Sequence, residues 1–514
     1  MKVCTVRRRV LTSEAVNGTV TVYTEPGFGT PKAMICYYTE CNANTGSYDT
    51  TTSIRNLGFG IAGPAGDGTS TILIRTQWMT TIDGITPTSY TRRNDNTRFI
   101  RPTNISGTNY YQCVGVSFSN GSAGLTFTAT TPQSNINLDL ICIFFTGSDL
   151  TVGVGNLALG TATNNTASIS TLNFTPDCLI TNFVEVAANA SQTTQSRFSI
   201  GAAVRLPSTK QSTIAYRCTD RSTGLSTQTH TYASSTSCAA SVSTAAGALN
   251  TYAVTSWGAN GFTITSTLIS ATGASNNLLW LALKGANGND FMLADYVSGT
   301  STGDQFNYFG SSGSVPQLVM GALTGTTSDA PATSSQTSPD CESVNLFTSE
   351  AKDAPYNLGA GTITSATNST AVTGSGTTFK QFNNGDILYS LSNQVIGTVS
   401  SVTNDTSLTL TGNASTAISA AGYNYYYPRQ FCLTFGEADN VTPTNVFSKI
   451  STNGITIGRN NAGTIQDLIT GTISNFGSRP GYNVNLTTTD ATARRGWVLG
   501  FKDETPRRRN PAIS

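Results

Sequence analysis

Between Arg221 and Lys284 lie 62 consecutive residues without a single Asp, Glu, Lys or Arg. No salt-bridged helix face can be written into such a stretch, because the charge pairs three and four residues apart that support exposed helices are missing. Short runs rich in Val, Ile, Thr, Tyr and Phe, bounded by Gly, Asn, Ser and Pro, recur instead along the whole chain. Thr19–Tyr23, Leu125–Thr128, Phe262–Thr265 and Ser407–Thr411 are examples. β-Branched and aromatic residues suit a pleated surface, and the bounding residues turn the chain. Such runs at regular spacing predict an all-β fold of sandwiches or barrels.

Internal similarity gives the organisation. Three segments open with a turn, a proline and a buried strand: Phe28-Gly-Thr-Pro31 leading to Cys36, Phe174-Thr-Pro176 leading to Ile180, and Val315-Pro316 leading to Met320. Proline suits the start of a strand, where no ladder donor is needed. A second shared element is Leu57-Gly-Phe-Gly60, Phe198-Ser-Ile-Gly201 and Leu433-Thr-Phe-Gly436. The third is a pair of strands: Gly124–Phe127 leading to Leu138–Phe144, Gly261–Ile264 to Leu278–Leu283, and Gly481–Val484 to Gly496–Phe501. These closing strands are apolar on both faces, as a central strand should be.

The spacing locates an insertion. Gly124 to Gly261 is 137 positions, whereas Gly261 to Gly481 is 220, an excess of 83. It falls between Met320 and Leu433. The reading is therefore three tandem β-sandwich domains of jelly-roll or immunoglobulin-like type at 20–150, 151–290, and 291–356 with 428–503. The third is interrupted at 357–427 by a small β-barrel or sandwich of six short strands. Residues 1–19 and 504–514 read as terminal arms, and Thr324 to Asp340 as a flexible lead-in.

Charged residues make up 11% of the 514, against roughly 25% in an ordinary soluble domain. The net charge of +1 argues against a nucleic-acid partner, which selects a basic face. Apolar runs are far shorter than the about 20 residues of a spanning helix, so no membrane helix is expected. Low net charge favours association. The one histidine, His230, lies in a polar stretch without a neighbouring carboxylate and reads as a surface or loop residue. No phosphate-binding loop, dinucleotide fingerprint or His-Glu-x-x-His occurs. No catalytic residue, cofactor or metal is expected. Asn94-Asp95-Asn96 offers too few carboxylates for a confident calcium site. The ten cysteines are scattered, with no Cys-x-x-Cys. The N-terminus has no apolar signal segment, so synthesis in a reducing cytoplasm is expected. The cysteines then read as mostly buried thiols, with some bridges, intersubunit ones included, forming later.

The repeat, with its aromatic-turn-Pro opening and its Gly-aromatic-Thr strand before a Trp-Leu-Ala-Leu-type closing strand, resembles repeats in virion proteins of tailed bacteriophages. The insertion, with Val372-Thr-Gly-Ser-Gly-Thr-Thr-Phe379, Gly385-Asp-Ile-Leu388, Gly397-Thr-Val399 and Thr406-Ser-Leu-Thr-Leu410, is similar to small β-modules of phage structural and adhesion proteins. The resemblance covers most of residues 20–503. The third copy departs from it at Val315. The shared residues are architectural, so it carries over no site.

The resemblance implies a homo-oligomeric structural component of a phage particle, in the neck, collar or tail, assembled in the host cytoplasm and partnered by itself and other virion proteins. Arg7, Arg8 and Arg9, with Arg507, Arg508 and Arg509, are expected on arms that reach an acidic neighbouring subunit. A second reading is a host-receptor or glycan-binding tail or fibre protein. Its platform would be Tyr423, Tyr425, Tyr426 and Tyr427, since aromatic faces bind sugars. Head decoration is a third. A depolymerase would need two facing carboxylates, and Asp386 in the insertion has no partner that the sequence identifies.

Overall fold

The computed structural model describes residues 1–502 except 13, 26, 42–45, 50–53, 83–90, 104–110, 129–136, 187–191, 195, 221–226, 243–248, 271–275, 310–314, 327–331, 334–342, 351–356, 383–385, 427–429, 438–445, 462–463 and 475–480. Among them there is no α-helix, and every paired strand is antiparallel.

The first repeat runs β1 (Lys2–Val10), β2 (Thr19–Tyr23), β3 (Ala33–Glu40), β4 (Ile54–Pro64), β5 (Ile72–Ile82), β6 (Thr91–Asp95), β7 (Cys113–Ser119), β8 (Ser122–Phe127) and β9 (Leu138–Thr146). The second runs β10 (Thr151–Leu159), β11 (Thr166–Ile169), β12 (Cys178–Phe183), β13 (Gln192–Thr194), β14 (Ser196–Val204), β15 (Lys210–Asp220), β16 (Thr227–Ser234), β17 (Ala239–Val242), β18 (Leu249–Gly258), β19 (Gly261–Ile269) and β20 (Asn276–Lys284). The third opens with β21 (Phe291–Val297), β22 (Gly303–Tyr308), β23 (Leu318–Thr324), β24 (Ala332–Thr333) and β25 (Ser343–Glu350). The module follows: β26 (Asn357–Leu358), β27 (Thr362–Ser365), β28 (Ala371–Ser375), β29 (Ile387–Ser390), β30 (Val395–Asn404), β31 (Ser407–Leu410), β32 (Ile418–Ala421) and β33 (Tyr423–Tyr426). The third repeat then resumes with β34 (Gln430–Glu437), β35 (Val446–Ser451), β36 (Ile455–Asn461), β37 (Thr464–Ser474), β38 (Gly481–Thr488) and β39 (Arg495–Phe501).

Each repeat is a large sheet packed on a small one, in the same order. The large sheets read β1-β9-β3-β4-β5-β6, β10-β20-β12-β14-β15-β16 and β21-β39-β23-β25-β34-β35. The small sheets read β2-β8-β7, β11-β19-β18-β17 and β22-β38-β37-β36. Two expectations are corrected by this order. Residues 2–10 are not an arm: β1 pairs along its whole length with β9 and is the counterpart of β10 and β21. Leu433–Gly436 lies in β34, the counterpart of β5 and β15, so the true third copy of the Leu57 and Phe198 strands is β25. Its sequence, Ser-Val-Asn-Leu-Phe-Thr-Ser-Glu, carries no glycine to mark the match. The insertion therefore replaces the hairpin turn that joins β4 to β5 and β14 to β15.

The closing strands are apolar on both faces because each divides two cores. On β9, Leu138, Leu140, Cys142 and Phe144 point into the first sandwich. Ile141, Ile143 and Phe145 point the other way, into a core common to all three repeats. β20 sends Leu278, Trp280 and Ala282 into its own sandwich. Its Leu279, Leu281 and Leu283 enter the common core, which Trp497, Leu499 and Phe501 of β39 also join. Alternation along a strand thus serves two hydrophobic interiors.

The three sandwiches are also tied in a ring. The segment between the third and fourth strand of each large sheet crosses to the sheet of the repeat before it. β13 pairs with β6, β24 with β16, and Asp49 makes a bridge to Ser448 on β35. The last of these closes the circle from the first repeat back to the third. Buried polar side chains satisfy the seams: Arg55 pairs with Asp49 at 2.9 Å and donates to the Val446 carbonyl and the Ser448 hydroxyl. Gln77 donates to the Asn277 carbonyl at 2.7 Å, and the Trp497 ring N–H to the Ile200 carbonyl at 3.2 Å.

The module is one eight-stranded sheet, β26-β33-β29-β30-β31-β28-β27-β32, curled around its own core of Ile363, Val372, Phe379, Leu388, Val399, Leu410 and Tyr423 among others.

Candidate interaction surface

Three-fold internal repetition separates what the fold requires from what it does not. The hairpin turn after the fourth large-sheet strand leans on the next repeat. In the first repeat Gly66 accepts from the Asn173 backbone N–H at 2.8 Å. Gly66 has φ +84°, and a Cβ there would meet Leu172 Cδ2 at 2.7 Å, so this seam needs glycine. In the second repeat Leu206 packs against Gly288, in the link that leads into β21 of the third. The third repeat carries the whole module in that place, and the module leans on the first repeat. The fold is complete without it at the other two seams.

A short 3-10 turn, Phe379–Gln381, presents Lys380 toward β2. Phe379 anchors the turn by packing on Phe382 and on Tyr423, with ring centroids 5.9 and 6.1 Å apart. The Lys380 backbone N–H donates to Asp405 Oδ1 at 3.0 Å. Its ammonium lies 3.7 Å from Glu14, which Arg8 holds at 2.8 Å and whose second oxygen accepts the Leu11 N–H. A hollow of about 390 Å³ opens here, lined by Arg8, Glu14, Thr19, Thr21, Tyr23, Lys380, Thr403 and Asp405 among others. A second, of about 300 Å³, continues past Tyr23 between Glu25, Gly27 and Asn120 on one side and Leu358, Thr378 and Tyr425 on the other. Tyr23 lines both. Burial, with the Asp405 carboxylate behind it, raises the Tyr23 phenol above its ordinary value.

The residues singled out from the sequence distribute as follows. Arg9 stands opposite Asp139 in the β1–β9 register, and its guanidinium makes a 2.7 Å contact with that carboxylate. Arg7 reaches the same carboxylate at 3.0 Å. Burial alone would raise the Asp139 carboxyl, but Arg7 and Arg9 hold it below its ordinary value. The acidic partner expected on another subunit is thus in the same chain. Arg8 points to the other side of β1 and lines the hollow; its Nε is buried without an acceptor. Arg507, Arg508, Arg509 and Tyr427 lie outside the described residues, as does the side chain of Tyr426. Tyr423 and Tyr425 are not a platform: both are buried in the module core, where alternation on β33 places them.

His230 is not a surface residue. It sits on β16, 2% exposed, where burial and the cations Arg217 and Arg197 push it down to about 4. Asp386 is buried, and its carbonyl accepts the Val399 N–H. Asp95 is committed to the Thr97 N–H and hydroxyl and to Arg101. No group of three or more metal-ligating side chains occurs among the described residues. Nine cysteines are buried and form no disulfide among the described residues, and Cys341 lies outside the described residues.

Sequence reasoning missed Glu14, Tyr23, Lys380 and Asp405. Thr19–Tyr23 is legible as a strand, but that it forms a sheet edge facing the module follows only from the ring closure. One further surface stands out. β22 is the outer strand of the third small sheet, and its alternate residues Asp304, Phe306 and Tyr308 face outward, the rings 48% and 56% exposed. The equivalent edge β11 shows Thr166 and Ser168 in place of aromatic rings. No protein-family model matches the chain, and no curated protein matches it.

Proposed function

We propose that the chain is a structural component of a tailed bacteriophage particle, a homo-oligomer of the neck, collar or tail that works by packing against copies of itself and other virion proteins. The observation that carries this reading is the β22 edge. An outer strand offers unpaired backbone groups, and natural proteins blunt such edges with charge, proline or a cover. Here the edge carries one outward charge, Asp304, and beside it displays Phe306 and Tyr308, on a chain whose net charge of +1 sets up little repulsion between copies. The occupant is a second copy meeting this edge. A body tied into a ring around one core supports the same reading, since a particle component must keep its shape under load. Sedimentation velocity of the full chain tests it. An oligomer is expected, and the Tyr308→Lys variant, a change at an exposed position, is expected to shift it toward monomer. A wild-type chain that stays monomeric at high concentration contradicts the packing role.

A further inference from the structure

We propose that the groove between β2 and the module binds a neutral, linear oligosaccharide. Two hollows meeting end to end at Tyr23 make an elongated trough, and each is of the size of small-ligand sites, about 300–1,000 Å³. The walls carry the groups a polyhydroxylated chain uses. The hydroxyls of Thr19, Thr21, Tyr23 and Thr403 line the first hollow, and none of them has a hydrogen-bond partner among the described residues. Asp405 spends Oδ1 on the Lys380 N–H and leaves Oδ2 as an acceptor at the wall. An ionised carboxylate accepts several hydrogen bonds, which suits neighbouring sugar hydroxyls.

Charge selects within the class. Arg8 and Lys380 are matched by Glu14 and Asp405, and three of the four are joined through Glu14. An anionic ligand would have to displace an existing ion pair, whereas a neutral one need not. An extended peptide added to a sheet edge is read by pockets for alternate side chains. The first hollow has hydroxyls and charges at its rim instead, with Tyr23 as its ring. The trough exists at one seam of three, so the fold does not account for it. The proposal is separate from the packing role: β2 and β22 belong to different repeats, and blocking one leaves the other intact.

The test uses the purified full chain on an array of printed neutral oligosaccharides, acidic oligosaccharides and extended peptides, followed by titration calorimetry with the strongest neutral binder. Thr403→Trp and Thr19→Arg fill the trough from exposed positions, so neither removes a buried contact. Thr166→Arg makes the same change at the equivalent edge of the second repeat. The expected result is binding to neutral oligosaccharides, weakened at least about tenfold by each blocking variant and unchanged in Thr166→Arg. Three results overturn it: no neutral oligosaccharide bound, binding confined to acidic saccharides or peptides, or neutral binding indifferent to both blocking variants.

Discussion

Two buried groups at the seams make the stability of the chain depend on pH in opposite senses. Glu40 ends β3, accepts the Asn56 backbone N–H at 2.9 Å and its side-chain amide at 2.9 Å, and is pushed up to about 7 by burial. The native state therefore holds a proton that the unfolded chain has released, and stability falls as pH rises from the ordinary carboxyl range to about 7. His230 is depressed to about 4, so the unfolded chain takes up its proton first. Its contribution is whole above the ordinary imidazole value and is lost as pH falls to about 4. Chemical denaturation across pH 4–8 is expected to show Glu40→Gln removing a decline toward neutral pH. His230→Gln is expected to remove a loss toward acid. Neither group is legible in the sequence. Glu40 closes an apolar strand as a surface residue would, and His230 sits among Thr and Ser. Both are buried because another repeat covers them. Arg7 and Arg9 misled for a different reason: their partner Asp139 stands on the neighbouring strand β9 of the same repeat, 130 residues or more away in sequence.

At the scale of elements, the all-β class and the two-faced closing strands were readable, because a strand between two apolar layers must be apolar at every position. What lay on the far face was not. The alternation of Leu278 to Leu283 shows two buried faces without saying that one belongs to all three repeats. This yields a test. Leu281→Ala on the common-core face and Leu278→Ala on the sandwich face should each cost about 2–5 kcal/mol in urea denaturation, as fully buried leucines do. If the common core did not form, Leu281→Ala would fall within the roughly 0.5 kcal/mol of a surface change. The hairpin-borne module was visible as excess length. The strand flanking it was not, because β25 carries neither the glycine nor the spacing of its counterparts. Tyr423 and Tyr425 show the limit of composition: an alternating aromatic strand looks alike whether the rings face solvent or core.

For the whole molecule, the missing charge acquires a location. The 62-residue charge-free stretch spans β16 to β19 and all of β20 but its last residue, where the second repeat meets its own small sheet on one face and the common core on the other. Two of the charges that enter the buried interior are paired, Arg55 with Asp49 and Arg494 with Asp490. The exterior is rich in Thr, Ser and Asn, and it carries the exposed rings of β22. Such a body suits the proposed packing against neighbours, and it carries one added module on one of three equivalent hairpins. The most direct measurement is electron microscopy of virions purified from cells that produce the chain, labelled with antibody against it. The account predicts label at the neck, collar or tail, in several copies around the axis. Particles that carry no label, with the chain left in the soluble lysate, would contradict it.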